Sequence, residues 1–399
     1  MNSGSHGAVN GYLLRMRTRY LLGIGVLLVV LAGGTLALHS SADPNIHTLS
    51  LGTNPWAVAV DGRTGLAFVV NRPNYGFGTP FGSRLSTSGN ARSFIYSGSL
   101  SAPTDEDSVS VVDVRAARFL RNVTVGPDPR DAAVDEASGR VFVTNDDNAS
   151  ISVLDASTGH LVSTISVGDR PHAVTVDTAR HQAIAVDSAA NSLSVVDTLH
   201  LRTVQTLRVG NGVALDGATV VAQGGLIVVG DSTAMHVLDA RTGQERPVPS
   251  GGYAGVLAID PGGKQLYVAT NVGVQVVRLS DGRVQNTIAV QGEIRAMAVD
   301  ARRHRLYILQ GDTSHDGTLS MIDLRRGAVV TTKPVGLAPT ALAVDEQSGR
   351  VVVVNQGGSR QVTDRWGFLP DWLRTRLSPI LGDPSRIQPV PGSITILDL

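Results

Sequence analysis

Side chains that can bind anions or carry protons recur at one position of a repeated sequence unit. Arg130, His172 and Arg295 each stand five residues before an aspartate that ends an apolar run. A fixed offset from a repeated anchor predicts that the three lie at equivalent places in different units. Two arginines and a histidine on one surface would form a basic funnel suited to anionic ligands. Trp56 occupies the same offset in the first unit.

Acidic side chains close in sequence give these cations a second interpretation. Ordinary ion pairs would neutralise the arginines, and this is the interpretation that the sequence favours. The candidate acidic partners are Asp128, Asp131, Asp169 and Glu293.

Signals for catalysis are weak. His172 and Glu293 have acid–base side chains, and residues 312–316 (DTSHD) carry metal-capable atoms. That cluster lies between Gly311 and Gly317, which is typical of a turn. The G-x-S-x-G, H-E-x-x-H, Walker and G-x-G-x-x-G motifs do not occur in the chain. The sequence therefore predicts no catalytic residue and no metal site, and it identifies no cofactor.

The elements that position these residues follow from the repeat itself. Seven units with a period of about 40 residues run along the chain. Each unit has short runs rich in Val, Ile and Thr, separated by clusters of Gly, Asp, Asn and Ser, as strands and turns are. We expect an all-β fold, a seven-bladed β-propeller with four-stranded antiparallel blades around a channel. The repeated aspartates are expected to be structural: Asp61, Asp135, Asp177, Asp260, Asp300 and Asp345.

The chain ends predict how the ring closes. The seventh unit stops at Leu399 with its third strand, and residues 47–52 (HTLSLG) provide a spare fourth strand ahead of the first unit. We expect this N-terminal strand to join the last blade. The blade would then keep no unfinished edge at the seam between the chain ends.

The repeated motifs resemble those of the YVTN-type β-propeller repeat proteins of bacteria and archaea. Residues 142–145 (FVTN) stand closest to the naming motif, and residues 167–171 (VGDRP) and 138–140 (SGR) match its flanks. The resemblance covers about residues 44–399 apart from two insertions, and the fourth unit departs from it most because it lacks the proline and the aspartate. It implies a seven-bladed fold and an extracytoplasmic location. It implies no single activity.

The N-terminal segment, residues 1–43, indicates export. Arg15, Arg17 and Arg19 precede an uncharged apolar stretch at residues 21–38, which just reaches membrane-spanning length. Residues 40–42 (SSA) also offer a small-residue cleavage site, so an anchor and a cleaved signal peptide both fit, and the length favours the anchor. The chain has no cysteine and a formal net charge of zero. A disulfide framework is therefore excluded, and a general nucleic-acid surface is not expected.

Two insertions of equal length interrupt the repeat, at residues 72–107 in the first blade and 356–391 in the seventh. Both separate a second strand from a third, and these blades are neighbours in a closed ring. We therefore expect the insertions side by side on one face, here called the upper face. Their aromatics either pin the loops to the disc, which we favour, or form a recognition platform. The platform residues would be Tyr75, Phe77, Phe81, Tyr96, Trp366, Phe368 and Trp372, with Trp56 beneath them.

Two function classes fit this sequence. The favoured class is a non-enzymatic, exported or membrane-anchored monomer that binds a protein, a glycan or a small anionic ligand on its upper face. The alternative is an enzyme that resembles propeller lactonases or streptogramin lyases, with a metal-assisted site at the channel mouth.

Overall fold

Strands make up nearly all of the regular structure in the part of the chain that this computed structural model describes. That part comprises residues 45–52, 54–72, 107–209, 215, 218–230, 235–247, 255–260, 262–312, 315–361 and 387–399. Its other regular elements are two short 3-10 helices, Asp146–Asn148 and Thr178–Arg180. Within these residues no helix is long and apolar enough to cross a membrane.

The strands form seven four-stranded antiparallel blades, as the sequence predicts. The first half of the chain provides β1 (Ile46–Gly52), β2 (Pro55–Asp61), β3 (Leu66–Asn71), β4 (Ser108–Asp113), β5 (Arg118–Thr124), β6 (Pro129–Asp135), β7 (Arg140–Asn145), β8 (Ser150–Asp155), β9 (Leu161–Ser166), β10 (Pro171–Asp177), β11 (Gln182–Asp187), β12 (Ser192–Asp197) and β13 (Arg202–Arg208).

The second half continues the same pattern and adds one hairpin. Its strands are β14 (Thr219–Gln223), β15 (Leu226–Gly230), β16 (Met235–Asp239), β17 (Glu245–Pro247), β18 (Leu257–Ile259), β19 (Gln265–Thr270), β20 (Gly273–Arg278), β21 (Val284–Ile288), β22 (Ile294–Asp300), β23 (Arg305–Gln310), β24 (Asp316–Asp323), β25 (Ala328–Leu337), β26 (Pro339–Asp345), β27 (Arg350–Asn355), β28 (Gly358–Gln361), β29 (Ile387–Val390) and β30 (Gly392–Asp398).

Six blades are simple meanders, from β2–β5 in blade 1 to β22–β25 in blade 6, and the seventh has the order β26, β27, β30, β1 from the inside outward. The N-terminal strand therefore completes the last blade, which confirms the predicted closure. The inner strands contact one another in sequence, and β2 contacts both β6 and β26. The ring is closed at its inner circumference as well as by β1.

The second and third strands of a blade are buried on both faces because neighbouring blades cover them. In β7, for example, every residue from Val141 to Asn145 is buried. One core cluster joins Phe68 and Val70 of blade 1 to Val141 and Leu154 of blade 2. Strands enclosed in this way need continuous apolar runs of β-branched residues, which explains the sequence pattern.

The repeated aspartates cap the turns between the first and second strands, on the lower face of the disc. Asp61 and Asp345 are fully buried. Asp61 Oδ1 accepts a hydrogen bond from Arg63 N at 3.0 Å, and Asp345 Oδ1 accepts one from Gln347 N at 2.9 Å. These side-chain bonds close the turn, which is the ordinary use of aspartate at such positions.

Both insertions leave the disc between a second and a third strand. β3 ends at Asn71 and β4 begins at Ser108, while β27 ends at Asn355 and β30 begins at Gly392. The second insertion starts and finishes with the antiparallel hairpin β28–β29. The sequence did not predict this hairpin, since it lies outside the repeat.

Candidate functional site

The inner strands of four blades start next to a residue with a left-handed backbone. This residue precedes a proline and occurs at Asn54, Asp128, Arg170 and Ala338, with φ of 50°, 49°, 54° and 52°. Its carbonyl accepts the N–H of the residue that follows the second strand of the same blade. These bonds are Arg72 N to Asn54 O, Asp146 N to Asp128 O, Ser188 N to Arg170 O and Gln356 N to Ala338 O, of 2.9 to 3.2 Å. Non-glycine residues with positive φ cost about 1 kcal/mol each and persist where the surroundings hold them.

A β-bulge follows directly in five blades. The register of inner strand against second strand shifts between Pro55 and Ala57, and equivalent shifts occur in blades 2, 3, 6 and 7. Bulges re-aim side chains at the rims of β structures. The bulged segments contain Trp56, Arg130, His172, Arg295 and Thr340. Four residues predicted from their spacing thus occupy equivalent places at the upper mouth of the channel.

Arg130 lies within a buried network of ion pairs. One of its terminal nitrogens, Nη2, is 2.7 Å from Asp128 Oδ2 and 2.5 Å from Asp146 Oδ2. The side chains of the two aspartates are 4% and 3% exposed. This arginine is therefore neutralised by two carboxylates, and it offers no free positive charge to an anion.

The same network extends into the neighbouring blades. Arg72 Nε is 3.1 Å from Asp128 Oδ1, and Arg170 Nε is 3.2 Å from Asp146 Oδ1. The Arg72 guanidinium carbon also lies 4.6 Å from the centre of the Trp56 ring, within cation–π range. We call Trp56, Arg72, Asp128, Arg130, Asp146 and Arg170 the upper cluster. It connects blades 1, 2 and 3 by alternating charges.

His172 is joined to blade 2 through its backbone. Thr144 Oγ1 donates to His172 O at 3.4 Å and accepts a hydrogen bond from Asp131 N at 3.1 Å. Asp131 Oδ2 in turn accepts Val174 N at 3.0 Å across the blade boundary. Burial raises the pKa of Asp131 to about 6, against the lowering effect of its bonds from Val174 and Ala132. Asp131 therefore bonds backbone amides and does not pair with Arg130. The partners of Arg130 are Asp128, which the sequence predicted, and Asp146, which it did not.

Arg295 stands apart from this network. Its Nε donates to Gly311 O at 3.0 Å, and Nη1 lies 3.4 Å from Glu293 Oε1. The Glu293 side chain is mostly exposed, so this is a weak surface pair. The structure therefore links Trp56, Arg130 and His172 and leaves Arg295 in a separate part of the mouth.

The roots of the two insertions meet at Asn54. Its carbonyl accepts Arg72 N from the first insertion at 3.2 Å, and its Oδ1 accepts Gln356 Nε2 from the second at 2.5 Å. Asn54 itself lies in the short link between β1 and β2. Both insertions therefore start from one point of the upper face, beside the upper cluster.

The remaining predicted site residues lie outside the described residues: Tyr75, Phe77, Phe81, Tyr96, Trp366, Phe368 and Trp372. Of the cluster at 312–316, Asp312 and His315 bond to each other, with His315 Nδ1 2.8 Å from Asp312 Oδ2, and both are largely exposed. Across the described ranges, no group of three or more His, Asp or Glu side chains could hold a metal ion.

Comparison with known proteins supports the fold and nothing finer. No protein-family model matches the chain, and no curated protein matches it. Among solved structures, the hydrazine synthase of Kuenenia stuttgartiensis is similar with a TM-score of 0.55 and 18% identity, over 77% of this chain and 94% of that one. U3-55K is similar with a TM-score of 0.61 and 13% identity, over 90% and 99%. The class of protein is thus a seven-bladed β-propeller.

Proposed function

We propose that this protein is a YVTN-type, exported or membrane-anchored propeller that acts as a non-enzymatic interaction module. Its partner is a protein that binds the upper face. The observation that carries the proposal is that the first residues of the two insertions both bond to Asn54, beside the charged upper cluster. Long loops that share one origin on a stable disc are a common way to build a binding surface.

The upper cluster is suited to hold the first residues of the insertions in place. Buried ion pairs add little net stability, but removal of one partner is costly, so such networks fix geometry. Arg72, the first residue of one insertion, forms an ion pair with Asp128 and lies over the Trp56 ring. An ordered base lowers the entropy that a binding surface loses when it engages its partner.

The charges of the upper cluster favour a protein as the partner over a small anion. The arginines of the upper cluster already have carboxylate partners, so an anion would have to displace Asp128 or Asp146. The insertions add a sequence rich in Tyr, Phe and Trp, the residue types that dominate protein interfaces. Both features support a protein partner rather than a glycan or a small anionic ligand.

Tryptophan fluorescence provides the test. The partner is first isolated by cross-linking to the full chain in the exported or membrane fraction, where we expect to find the protein. Its titration should shift or quench the emission of Trp56, Trp366 and Trp372, the only tryptophans present. Trp366→Ala with Trp372→Ala should weaken binding by about 2 kcal/mol, as the loss of aromatic hot spots does.

Phe119→Ala is the matched control, because Phe119 is an exposed aromatic on the outer strand β5, away from the insertions. It should leave affinity unchanged. The proposal would be contradicted if the partner binds the double variant as tightly as the parent and leaves the tryptophan emission of the parent unchanged. Recovery of the protein only in the cytosol would contradict the exported location.

A further inference from the structure

A groove of about 780 Å³ opens on the lower face between blades 4 and 5. Its walls come from the ends of β16 and β20 and the starts of β15 and β19, so it lies on the face opposite the insertions. Ligand pockets for small molecules typically measure about 300–1,000 Å³. The groove therefore has the size of a small-molecule site.

The sequence of blade 4 explains why the groove forms at this place. The turn between β14 and β15 consists of Gly224 and Gly225 alone, with φ of 61° and 87°. The corresponding turn of blade 3 holds residues 178–181 and is preceded by Asp177. Blade 4 thus has a shorter turn and no aspartate. Less of its chain reaches over the seam towards blade 5.

Other seams are closed by the residues that blade 4 lacks. Asp135 of blade 2 accepts Thr198 Oγ1 of blade 3 at 2.7 Å, and Asp177 of blade 3 accepts Gly225 N of blade 4 at 2.7 Å. Between blades 6 and 7, Arg303 Nη1 donates to Glu346 O at 2.9 Å. In blade 4 the two residues that flank the turn and pair with each other are Gln223 and Leu226, neither of which is charged.

The walls carry one lysine, one arginine and several amide side chains. The Lys264 ammonium forms no hydrogen bond or ion pair with any described residue, and it is exposed at the groove. Arg278 lies on the same side and pairs with Asp281 at 3.1 Å. Amide groups are supplied by Gln244, Gln265 and Gln285.

Among the described lining residues, the carboxylate of Asp239 is bonded within its own turn. Asp239 Oδ1 accepts hydrogen bonds from Thr242 N, Thr242 Oγ1 and Arg241 N at 2.8 to 3.0 Å. These bonds lower the pKa of Asp239, so it stays ionised and directed into its own turn. Lys264 has no ion-pair partner among the described residues, so its positive charge is available to a ligand.

We propose that the groove binds a small polar molecule that carries one oxyanion, a carboxylate or a phosphate, together with hydroxyl groups. Lys264 would pair with the oxyanion, and the amides of Gln244, Gln265 and Gln285 would bond the hydroxyls. A sugar acid and a sugar phosphate share this chemistry. The site is separate from the upper face and does not depend on its function.

Calorimetric titration of the full chain with three related probes tests the site. Glucuronate and glucose 6-phosphate carry the oxyanion on the same ring, and glucose is the neutral control. At millimolar probe concentration and low salt, we expect at least one of the two anions to bind and glucose not to bind. The stronger anion identifies the source as carboxylate or phosphate. Absence of binding by both anions, or equal binding of glucose, would overturn the proposal.

Three variants locate the binding. Lys264→Gln should lower the affinity for the anion by about tenfold or more, because the anion loses its ion-pair partner. Ser280→Trp leaves every charge in place and should block the groove, because Ser280 lines it. Arg326→Gln alters an exposed arginine in the corresponding turn of blade 6 and should change nothing. Unchanged affinity in both groove variants would place the anion elsewhere and overturn the proposal.

Discussion

At the scale of single residues, the last position of the second strand is a repeated buried hydrogen-bonding site. Asn71, Asn145 and Asn355 stand there, and each amide nitrogen donates to two hydroxyls of the adjacent third strand. Blade 3 has Asp187 at this place. Its Oδ2 accepts Ser194 Oγ at 2.7 Å and Ser192 Oγ at 3.3 Å.

Burial makes the carboxylate of Asp187 unfavourable. Burial is the main reason that its pKa rises from 3.8 to about 6, although bonds from Ser194 and Ser192 oppose the shift. Between these two pH values the folded protein keeps a proton that the unfolded chain has released. Stability therefore falls as pH rises through this interval, and above about pH 6 the loss is complete, up to about 3 kcal/mol.

We expect Asp187→Asn to stabilise the protein at neutral pH by about 2–3 kcal/mol, because it removes the buried charge and restores the residue of the neighbouring blades. At pH 4 the gain should largely disappear, since Asp187 is then protonated in the folded protein. Denaturant unfolding at several pH values measures the difference between parent and variant. Asn145→Asp is the matched reverse change and should destabilise at neutral pH. A gain independent of pH would contradict this account.

Sequence spacing could predict which residues share the channel mouth but not which partners they have there. Arg130 and His172 were found because each stands at a fixed distance from a repeated aspartate. Arg72 and Asp128 are 56 positions apart, and their pairing depends on the positive φ of Asp128 and on the root of an insertion. The two acidic residues that follow β7, Asp146 and Asp147, were the available signal for the missed partner.

At the scale of elements, the repeat predicts strands well because each is enclosed in the same way in every blade. Alternating turns and β-branched runs recur with the packing that they serve, so the copies confirm one another. Elements without copies escape this reasoning. The hairpin β28–β29 occurs once, and the groove beside blade 4 depends on a turn shortened to Gly224 and Gly225.

We expect that the second insertion can be shortened without loss of the fold. β28 and β29 pair up to Gln361 and Ile387, so an Asn-Gly turn in place of residues 362–386 would close the ladder as a two-residue hairpin. A shorter loop changes the closure entropy by about 2 kcal/mol at most and in the stabilising direction. We expect a melting temperature within a few degrees of the parent, cooperative unfolding by circular dichroism, and weaker partner binding.

Replacement of the same residues by a flexible Gly/Ser segment of equal length is the control for loop length. Loss of cooperative unfolding in the shortened chain would mean that the insertion is part of the propeller core. Full retention of partner binding would place the interaction elsewhere on the disc.

At the scale of the whole molecule, stability depends on a ring whose last blade is assembled from both chain ends. β1 lies beside β30, and Leu51 is buried in a cluster with Val69 of blade 1 and Val352 and Ile396 of blade 7. This cluster joins the first blade to the last. The strand therefore stabilises the seam by hydrogen bonds to β30 and by the apolar contacts of its side chains.

Deletion of residues 45–52 should open this seam. At about 1 kcal/mol for each lost hydrogen bond, and about 2 kcal/mol for the burial of Leu51, we expect a loss of about 5 kcal/mol or more. β30 would become an exposed edge, so the shortened chain should also associate. The control is a chain that starts at Asn45 and keeps β1, and it is compared with a chain that starts at Thr53 and lacks β1. Thermal unfolding and size-exclusion chromatography with light scattering compare the two. If the deleted chain stays monomeric with the melting temperature of the control, β1 does not hold the ring closed, and the stability of the propeller comes from the contacts between its inner strands alone.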